Sequence, residues 1–156
     1  MRRKDREVGE FGAIMEIVAA CKVCRLALVD NGKPYLVPLN FGFETENDIL
    51  TVYFHSACEG KKLAVLRQNS AACFEVDTEH QLVEHEIPCR NGYLFASAIG
   101  SGTVRFLEDA EEKRHALCCI MRHQTGRTVE ITDAMLPQVV VFALRVSELS
   151  GKRRAT

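Results

Sequence analysis

Hydrophobic residues recur along the chain with two different periods, and these periods predict its helices and strands. In residues 5–21, apolar side chains at positions 8, 11, 14, 15 and 18 follow the period of an amphipathic helix that Asp5 could cap. Asn31 and Gly32 stand between two apolar runs, the strongest short-range signal for a β-hairpin. A strand, a short helix and another strand are then predicted over residues 48–55, 61–68 and 71–77.

The second half of the chain predicts a long strand, a capped helix and a last strand. A polar segment, residues 78–92, leads into the long strand at 93–107. Asp109 and Glu112 have the spacing of a capping box for the helix that follows, over residues 110–123. The last strand is predicted over residues 138–149, and residues 150–156 are expected to form a solvated tail.

This order of elements favours a mainly β, α+β fold. The strands follow one another as hairpins, and no strand–helix–strand alternation indicates a parallel sheet. We therefore expect an antiparallel, closed or nearly closed barrel with peripheral helices. No linker or repeat divides the sequence, so residues 1–156 are expected to form one domain.

Composition and charge narrow the classes of partner. The chain of 156 residues is 47% hydrophobic and 26% charged, with a formal net charge of −1. That balance gives no reason to expect nucleic acid or an anionic membrane as partner. No apolar run approaches the roughly 20 residues of a membrane span, and no signal-peptide core follows the basic N-terminus. A cytoplasmic location is the expectation.

The seven cysteines do not form a recognisable disulfide or metal pattern. Cys21 and Cys24 form one CxxC pair, but no second ligand pair has matching spacing. Cys118 and Cys119 are adjacent on a predicted helix and should point in different directions. Reduced, mostly buried thiols are expected, with zinc as the less favoured alternative and no metal site assigned.

Three unusual stretches indicate where chemistry could occur. Strand residues 35–43 carry proline, asparagine and glycine at even positions, and residues 96–102 are small where a strand usually has bulk. The third stretch places Lys61 and Lys62 in the first turn of a helix, shortly after His55. Edge-strand packing, close sheet packing and screening of the lysines by Glu59 are the structural alternatives.

Together the three stretches are consistent with a planar, phosphorylated ligand. A phosphate at the helix start would bind free backbone N–H groups and both ammonium groups, with His55 and Ser56 as further donors. A flat ring could lie on the small-residue strands. FMN fits this description better than a metal or a nucleic acid, and flavin chemistry needs few protein side chains.

Three segments, PYLVPLNFGFE, LTVYFHSACEGKKLAVL and SAIGSGTVRFLEDAEEK, together resemble the pyridoxamine 5'-phosphate oxidase-like, FMN-binding split barrels. Within them the chain looks like the nitroimidazole-resistance (Nim-type) branch. The resemblance implies a homodimer with FMN at the subunit interface, and His55 as the residue that orients a substrate or donates a proton. The cofactor-binding residues it implies are Val37, Pro38, Leu39, Asn40, Tyr53, Phe54, His55, Ser56, Lys61, Lys62, Ser97, Ile99 and Ser101, the last three from the same or the partner subunit.

The chain also departs from the family pattern, and the departures shape the expected function. It lacks the long arginine-rich C-terminus with which pyridoxamine-phosphate oxidases bind their vitamer, so vitamin B6 oxidation is not expected. The leading hypothesis is an FMN-dependent oxidoreductase that reduces a small organic acceptor such as a nitroaromatic. The alternatives are a non-catalytic flavin- or haem-binding protein and a protein that uses the deazaflavin F420.

Overall fold

The computed structural model describes residues 3–155. The helices in this range are α1 (Phe11–Ala20), α2 (Lys61–Gln68) and α3 (Ala110–Thr125). The strands are β1 (Glu7–Val8), β2 (Val23–Asp30), β3 (Lys33–Asn40), β4 (Gly42–Glu46), β5 (Ile49–Ser56), β6 (Ala71–Val83), β7 (Gly92–Leu107) and β8 (Val140–Arg154). Short 3-10 segments occupy Lys4–Arg6, Pro88–Arg90 and Asp133–Gln138. None of the described helices is long and apolar enough to cross a lipid bilayer.

All these strands belong to one antiparallel sheet. Its main path runs β3–β2–β6–β7–β8–β5–β4, and the short β1 pairs with β8. The two edge strands, β3 and β4, are consecutive in the chain and separated only by Phe41. The sheet therefore curls until its edges meet at Phe41, without a β3–β4 ladder in the described residues. This open seam makes the structure a split barrel, which confirms the predicted fold class.

The main core fills the barrel. Along β2, Cys24, Leu26 and Leu28 alternate inward at period two. On the adjacent strands β5 and β8, the paired residues Phe54 and Phe142 stack with ring centroids 5.2 Å apart. Each such fully buried apolar side chain stabilises the fold by about 1.5–3 kcal/mol relative to exposure. Helices α1 and α2 contribute to this core, whereas α3 packs on the opposite face of β4 and β5 over a second, smaller cluster.

Two local signals in the sequence predict local structure correctly. Asn31 and Gly32 have φ angles of 50° and 78°, which suits a two-residue hairpin turn, and Asp30 pairs with Lys33. Asp109 caps α3, because its carboxylate accepts hydrogen bonds from the Glu111 and Glu112 backbone N–H groups at 2.9 and 3.0 Å. The α2 bounds also match the prediction.

The predicted N-terminal cap is wrong. Helix α1 begins at Phe11, and Asp5 instead binds the Arg3 guanidinium in the preceding 3-10 turn, at 2.8 and 2.6 Å. The residues before Phe11 are used differently: Glu7 and Val8 form β1, which pairs with Lys152 and Gly151. An ion pair between neighbours in sequence thus replaces the helix cap.

Two further predictions are wrong: the solvated tail at residues 150–156 and the end of the strand predicted over residues 71–77. Strand β8 continues to Arg154, where Gly151 pairs with Ala98 and Arg153 with Ala96. Strand β6 likewise runs on to Val83 through a register shift, pairing with the start of β7. The polar composition of both segments suggested loops. Both are strands because their backbones pair with the long β7, and strand formation depends more on such context than on the residues' own preferences.

Candidate functional site

The small residues of β7 have different roles on its two faces. On the inward face, a Cβ at Gly100 would lie 2.4 Å from the Phe74 ring, and one at Gly102 would lie 1.9 Å from the Arg145 carbonyl oxygen. The structural alternative, close packing of the sheet, therefore accounts for the two glycines. The predicted ligand residues Ser97, Ile99 and Ser101 alternate with these positions and face outward.

On the outward face of the sheet, side chains of β3 and β7 lie in the same rows across the strands. Pro38 pairs with Arg25, Arg25 with Glu75, and Glu75 with Ile99, so these four side chains form one row across four strands. Ile99 is 47% exposed. A neighbouring row runs from Leu36 on β3, through β2 and β6, to Ser101 on β7. Leu36 is 58% exposed. The predicted residues Pro38, Ile99 and Ser101 thus share one exposed, partly apolar surface.

Arg25 lies at the centre of this surface, as expected for an outward strand position. Its guanidinium binds the Glu75 carboxylate at 2.7 Å and also pairs with Asp77. His80 contacts the second Asp77 oxygen at 2.5 Å. The surface therefore combines exposed apolar residues with a cluster of ion-paired side chains.

The other predicted β3 residues are placed differently. Val37 and Leu39 point inward and pack against the barrel core. The Asn40 amide donates to the Lys22 carbonyl at 3.1 Å and to the Gln124 side-chain oxygen at 3.2 Å. Asn40 thereby ties the end of β3 to the end of α3 in this structure.

The end of β5 presents alternate side chains to two environments. Tyr53 and His55 face α3, where the Tyr53 hydroxyl donates a hydrogen bond to Glu44. Phe54 is fully buried in the barrel core. A ligand next to Phe54 would therefore meet its backbone rather than its ring.

His55 is exposed at the mouth of a small apolar cavity rather than inside the barrel. The cavity has a volume of about 210 Å³ and lies between the end of β5, α3 and the 3-10 segment Asp133–Gln138. Its other lining residues are Leu117, Ile120, Met121, Ile131, Met135, Gln138 and Val139. This places the His55 imidazole beside a small apolar space.

Ser56 carries a polar atom with no partner in the described part of the chain. Its side chain is 5% exposed, and no hydrogen-bond partner for its Oγ exists among residues 3–155. A buried hydroxyl left unpaired costs about 1–3 kcal/mol. The chain itself covers this oxygen, so a ligand would reach it only after the side chain rotates.

The surroundings of the α2 start explain how two lysines are accommodated in the first turn of a helix. Gly60, with φ of 143°, precedes the helix and provides no side-chain cap. The Lys61 ammonium lies 2.9 Å from the Asp30 carboxylate and 4.7 Å from the centre of the Tyr35 ring. Its hydrogen bond to Asp30 raises the pKa of Lys61. Asp30, not Glu59, therefore balances Lys61, whereas no carboxylate in residues 3–155 forms an ion pair with Lys62.

The CxxC pair does not form a reactive site. Cys24 is fully buried in the barrel core and Cys21 nearly so. Burial raises the pKa of the Cys24 thiol to about 12, which holds it protonated at neutral pH. The expectation of buried thiols is met for this pair.

One cluster of potential metal ligands was not predicted from the sequence. Glu44 on β4 meets His115 and Cys119 on α3. The four-residue spacing of His115 and Cys119 could have paired them on one helix face. No local pattern connects either residue to Glu44, which lies 71 residues before His115.

Comparison with known proteins places this architecture among related chains. Residues 11–153 match the protein family described as pyridoxamine 5'-phosphate oxidase. The chain is 35% identical to a candidate 5-nitroimidazole antibiotic resistance protein from Bacteroides thetaiotaomicron, with 94% of this chain and 86% of that chain covered and a TM-score of 0.83. No functionally curated protein sequence matches the chain.

Two more distant structures share the fold. An FAD- and haem-binding protein from Mycobacterium smegmatis is 18% identical, with a TM-score of 0.83 over 97% of this chain and 74% of that chain. An FAD-binding protein from Mesorhizobium loti is 23% identical, with a TM-score of 0.68 over 96% of this chain and 98% of that chain. At this level of identity the likeness concerns the fold alone.

Proposed function

Because the chain belongs to the pyridoxamine 5'-phosphate oxidase family, we propose that it binds FMN and reduces a small organic acceptor such as a nitroaromatic compound. The observation that carries the proposal is the start of α2, which has two lysines in its first turn and no side-chain cap. The similarity to the Bacteroides protein supports the choice of acceptor.

The residues at the start of α2 suit a phosphate. The first backbone N–H groups of the helix lack a side-chain cap, and Lys62 has no ion-pair partner in the described residues. An anion at this place would accept hydrogen bonds from those N–H groups and from the ammonium, with favourable helix-dipole energy. The Ser56 hydroxyl would bind a polar part of the same ligand.

The isoalloxazine ring is proposed to lie on the outward face of the sheet. Pro38, Ile99 and Ser101 share that surface, but the side chain of His55 faces α3 on another side of the molecule. One chain therefore does not bring all the proposed residues together. A second copy, docked against the exposed Leu36 and Ile99, would join the two halves of the site. The proposal thus includes a homodimer with the cofactor at its interface.

In this mechanism the chain binds and orients, while bound FMN supplies the reversible uptake of electrons. Reduction of a nitro group to a nitroso group consumes two electrons from a reduced donor and two protons, and releases water. In this proposal the His55 imidazole donates one of these protons to a nitro oxygen. The apolar cavity beside it, about 210 Å³, is smaller than the ~300–1,000 Å³ of drug-sized ligand sites and suits a single-ring acceptor better than haem.

The first experiment is a visible absorption spectrum of the purified protein, before and after acid release of its cofactor. The proposal expects a flavin spectrum, release of FMN rather than FAD, and a molar mass of two chains by light scattering. Reduction of a nitroimidazole by the loaded protein with a reduced donor would then be measured. A colourless protein that binds neither added FMN nor FAD would overturn the flavin assignment. A Soret band would instead support the haem-binding alternative.

A further inference from the structure

A compact group of metal-ligating side chains lies outside the proposed flavin site. His115 Nε2 is 2.6 Å from a Glu44 carboxylate oxygen and 3.5 Å from Cys119 Sγ. One ligand atom from each of the three residues lies within 4.8 Å of the other two. Carboxylate, imidazole and thiolate are the three side-chain types that bind Zn²⁺ in proteins.

The backbone holds these residues together. His115 and Cys119 are one helical turn apart on α3, so they point from the same helix face. Glu44 comes from β4, which α3 crosses at very short range: a Cβ at Gly42 would lie 2.4 Å from the Ile120 backbone nitrogen. The glycine therefore permits the close approach that brings the Glu44 carboxylate to the helix.

A neighbouring side chain orients the carboxylate. The Tyr53 hydroxyl donates a hydrogen bond to the Glu44 oxygen that does not contact His115. The Tyr53 ring also meets the His115 ring edge-on, with centroids 6.0 Å apart. Hydrogen bonds and packing of this kind, one shell outside the ligands, are usual around metal sites in proteins.

We propose that Glu44, His115 and Cys119 bind a Zn²⁺ ion, with water as the fourth ligand. A carboxylate, a thiolate and a neutral imidazole give a ligand set of charge −2, which the ion neutralises. The thiolate and imidazole favour zinc over magnesium or calcium, which prefer oxygen ligands. Three protein ligands and one open position are the arrangement of zinc sites that retain a water.

The observed spacing requires only a small adjustment. Tetrahedral ligands at ~2.0–2.3 Å from zinc lie about 3.3–3.8 Å from one another. The 3.5 Å between His115 and Cys119 is within that range, and the 2.6 Å between His115 and Glu44 must widen. The side chains of His115 and Glu44 are 58% and 41% exposed, so both can move. Cys119, which is nearly buried, provides the fixed ligand.

The test measures zinc affinity of the full-length protein after treatment with a chelator. Zn²⁺ is titrated against a chromophoric chelator, and one equivalent per chain is expected to bind. Cys119→Ser and His115→Gln should each weaken binding at least tenfold, and Glu44→Gln by a similar factor. Cys118→Ser is the matched control, because this adjacent thiol contacts the Val129 carbonyl and not the cluster; its affinity should equal that of the wild type.

Co²⁺ provides a second measurement that identifies the sulfur ligand. A difference spectrum, taken against the same sample before metal addition, removes any flavin contribution. A thiolate-to-cobalt charge-transfer band is expected in the wild type and in Cys118→Ser, but not in Cys119→Ser. Unchanged zinc affinity in Cys119→Ser or in His115→Gln would overturn the proposal, as would the absence of stoichiometric binding in the wild type. His115 is exposed, so its variant keeps the test decisive even if Cys119→Ser fails to fold.

Discussion

The Lys61 ammonium and the Asp30 carboxylate form an ion pair at 2.9 Å that joins the start of α2 to the end of β2. This contact separates the roles of two adjacent lysines. Lys61 is already balanced within the chain, whereas Lys62 has no such partner in the described residues and is the better candidate for binding an anion.

We therefore expect Lys62→Ala to weaken FMN binding about tenfold or more, the loss expected for one charge-assisted contact. Lys61→Ala is the comparison, and its effect should be smaller because Asp30 already binds that ammonium. Fluorescence titration of the flavin-free protein measures both. Neither substitution should measurably change the free energy of unfolding without cofactor, because such exposed charges contribute little. A larger loss for Lys61→Ala than for Lys62→Ala would contradict this assignment.

His55→Gln should retain flavin but lose activity. The imidazole lies at the mouth of the apolar cavity, where it can donate a proton to an acceptor. Loss of a general acid typically lowers the rate by about 10²–10⁴-fold. Steady-state nitroreduction and the flavin-to-protein ratio are measured on the same sample. Gln138→Ala, on the same cavity wall, is the control and should affect the KM more than the kcat. Full activity in His55→Gln would exclude a catalytic role for this residue.

Gly100→Ala should destabilise the protein whether or not cofactor is bound. The added methyl group would lie 2.4 Å from the Phe74 ring and 3.0 Å from Val146 inside the core. Overpacking of this kind typically costs about 1–3 kcal/mol. Urea unfolding would show the loss. Gly12→Ala in α1 is the matched control: nothing lies within 4 Å of its Cβ position, so stability there should rise by about 0.5–1 kcal/mol. A neutral Gly100→Ala would mean that the close packing of β7 does not require glycine.

His123 should make stability depend on pH. Its ring packs against Phe41 and Phe43, with centroids 4.8 and 5.1 Å away, and its Nε2–H donates to the Cys21 carbonyl at 2.7 Å. Burial lowers the pKa of His123 below its ordinary value of 6.5. The unfolded chain then binds a proton more readily than the folded one. This contribution to stability is therefore complete above pH 6.5 and is lost as the pH falls from 6.5 toward the lowered folded pKa.

Urea unfolding from pH 7.5 to 5 would measure this slope. In His123→Gln the part of the slope due to this residue should disappear, because glutamine does not titrate. A slope that is identical in wild type and His123→Gln would show that His123 titrates alike in the folded and unfolded states.

The sequence by itself determined those features that neighbouring residues specify. Asn31 and Gly32 adopt their turn because their own backbone preferences suit it, and Asp109 caps α3 because the N–H groups it binds are two and three residues away. The alternation along β2 likewise specifies which side chains enter the core. With the motif resemblance, these local signals were sufficient to predict the split barrel, and the family followed from the matched residues.

Only the tertiary structure decided which distant residues meet. The strand over Gly151 to Arg154 forms because β7 and β1 lie beside it. Gly100 is small because the ring of Phe74, its pairing partner on β6, fills the space where a side chain would be. The pairing of Lys61 with Asp30, the unpaired Ser56 hydroxyl and the meeting of Glu44 with Cys119 depend in the same way on strand order and helix placement. Local preferences are encoded within a few residues, whereas contacts across tens of residues are fixed only when the whole core packs into one arrangement.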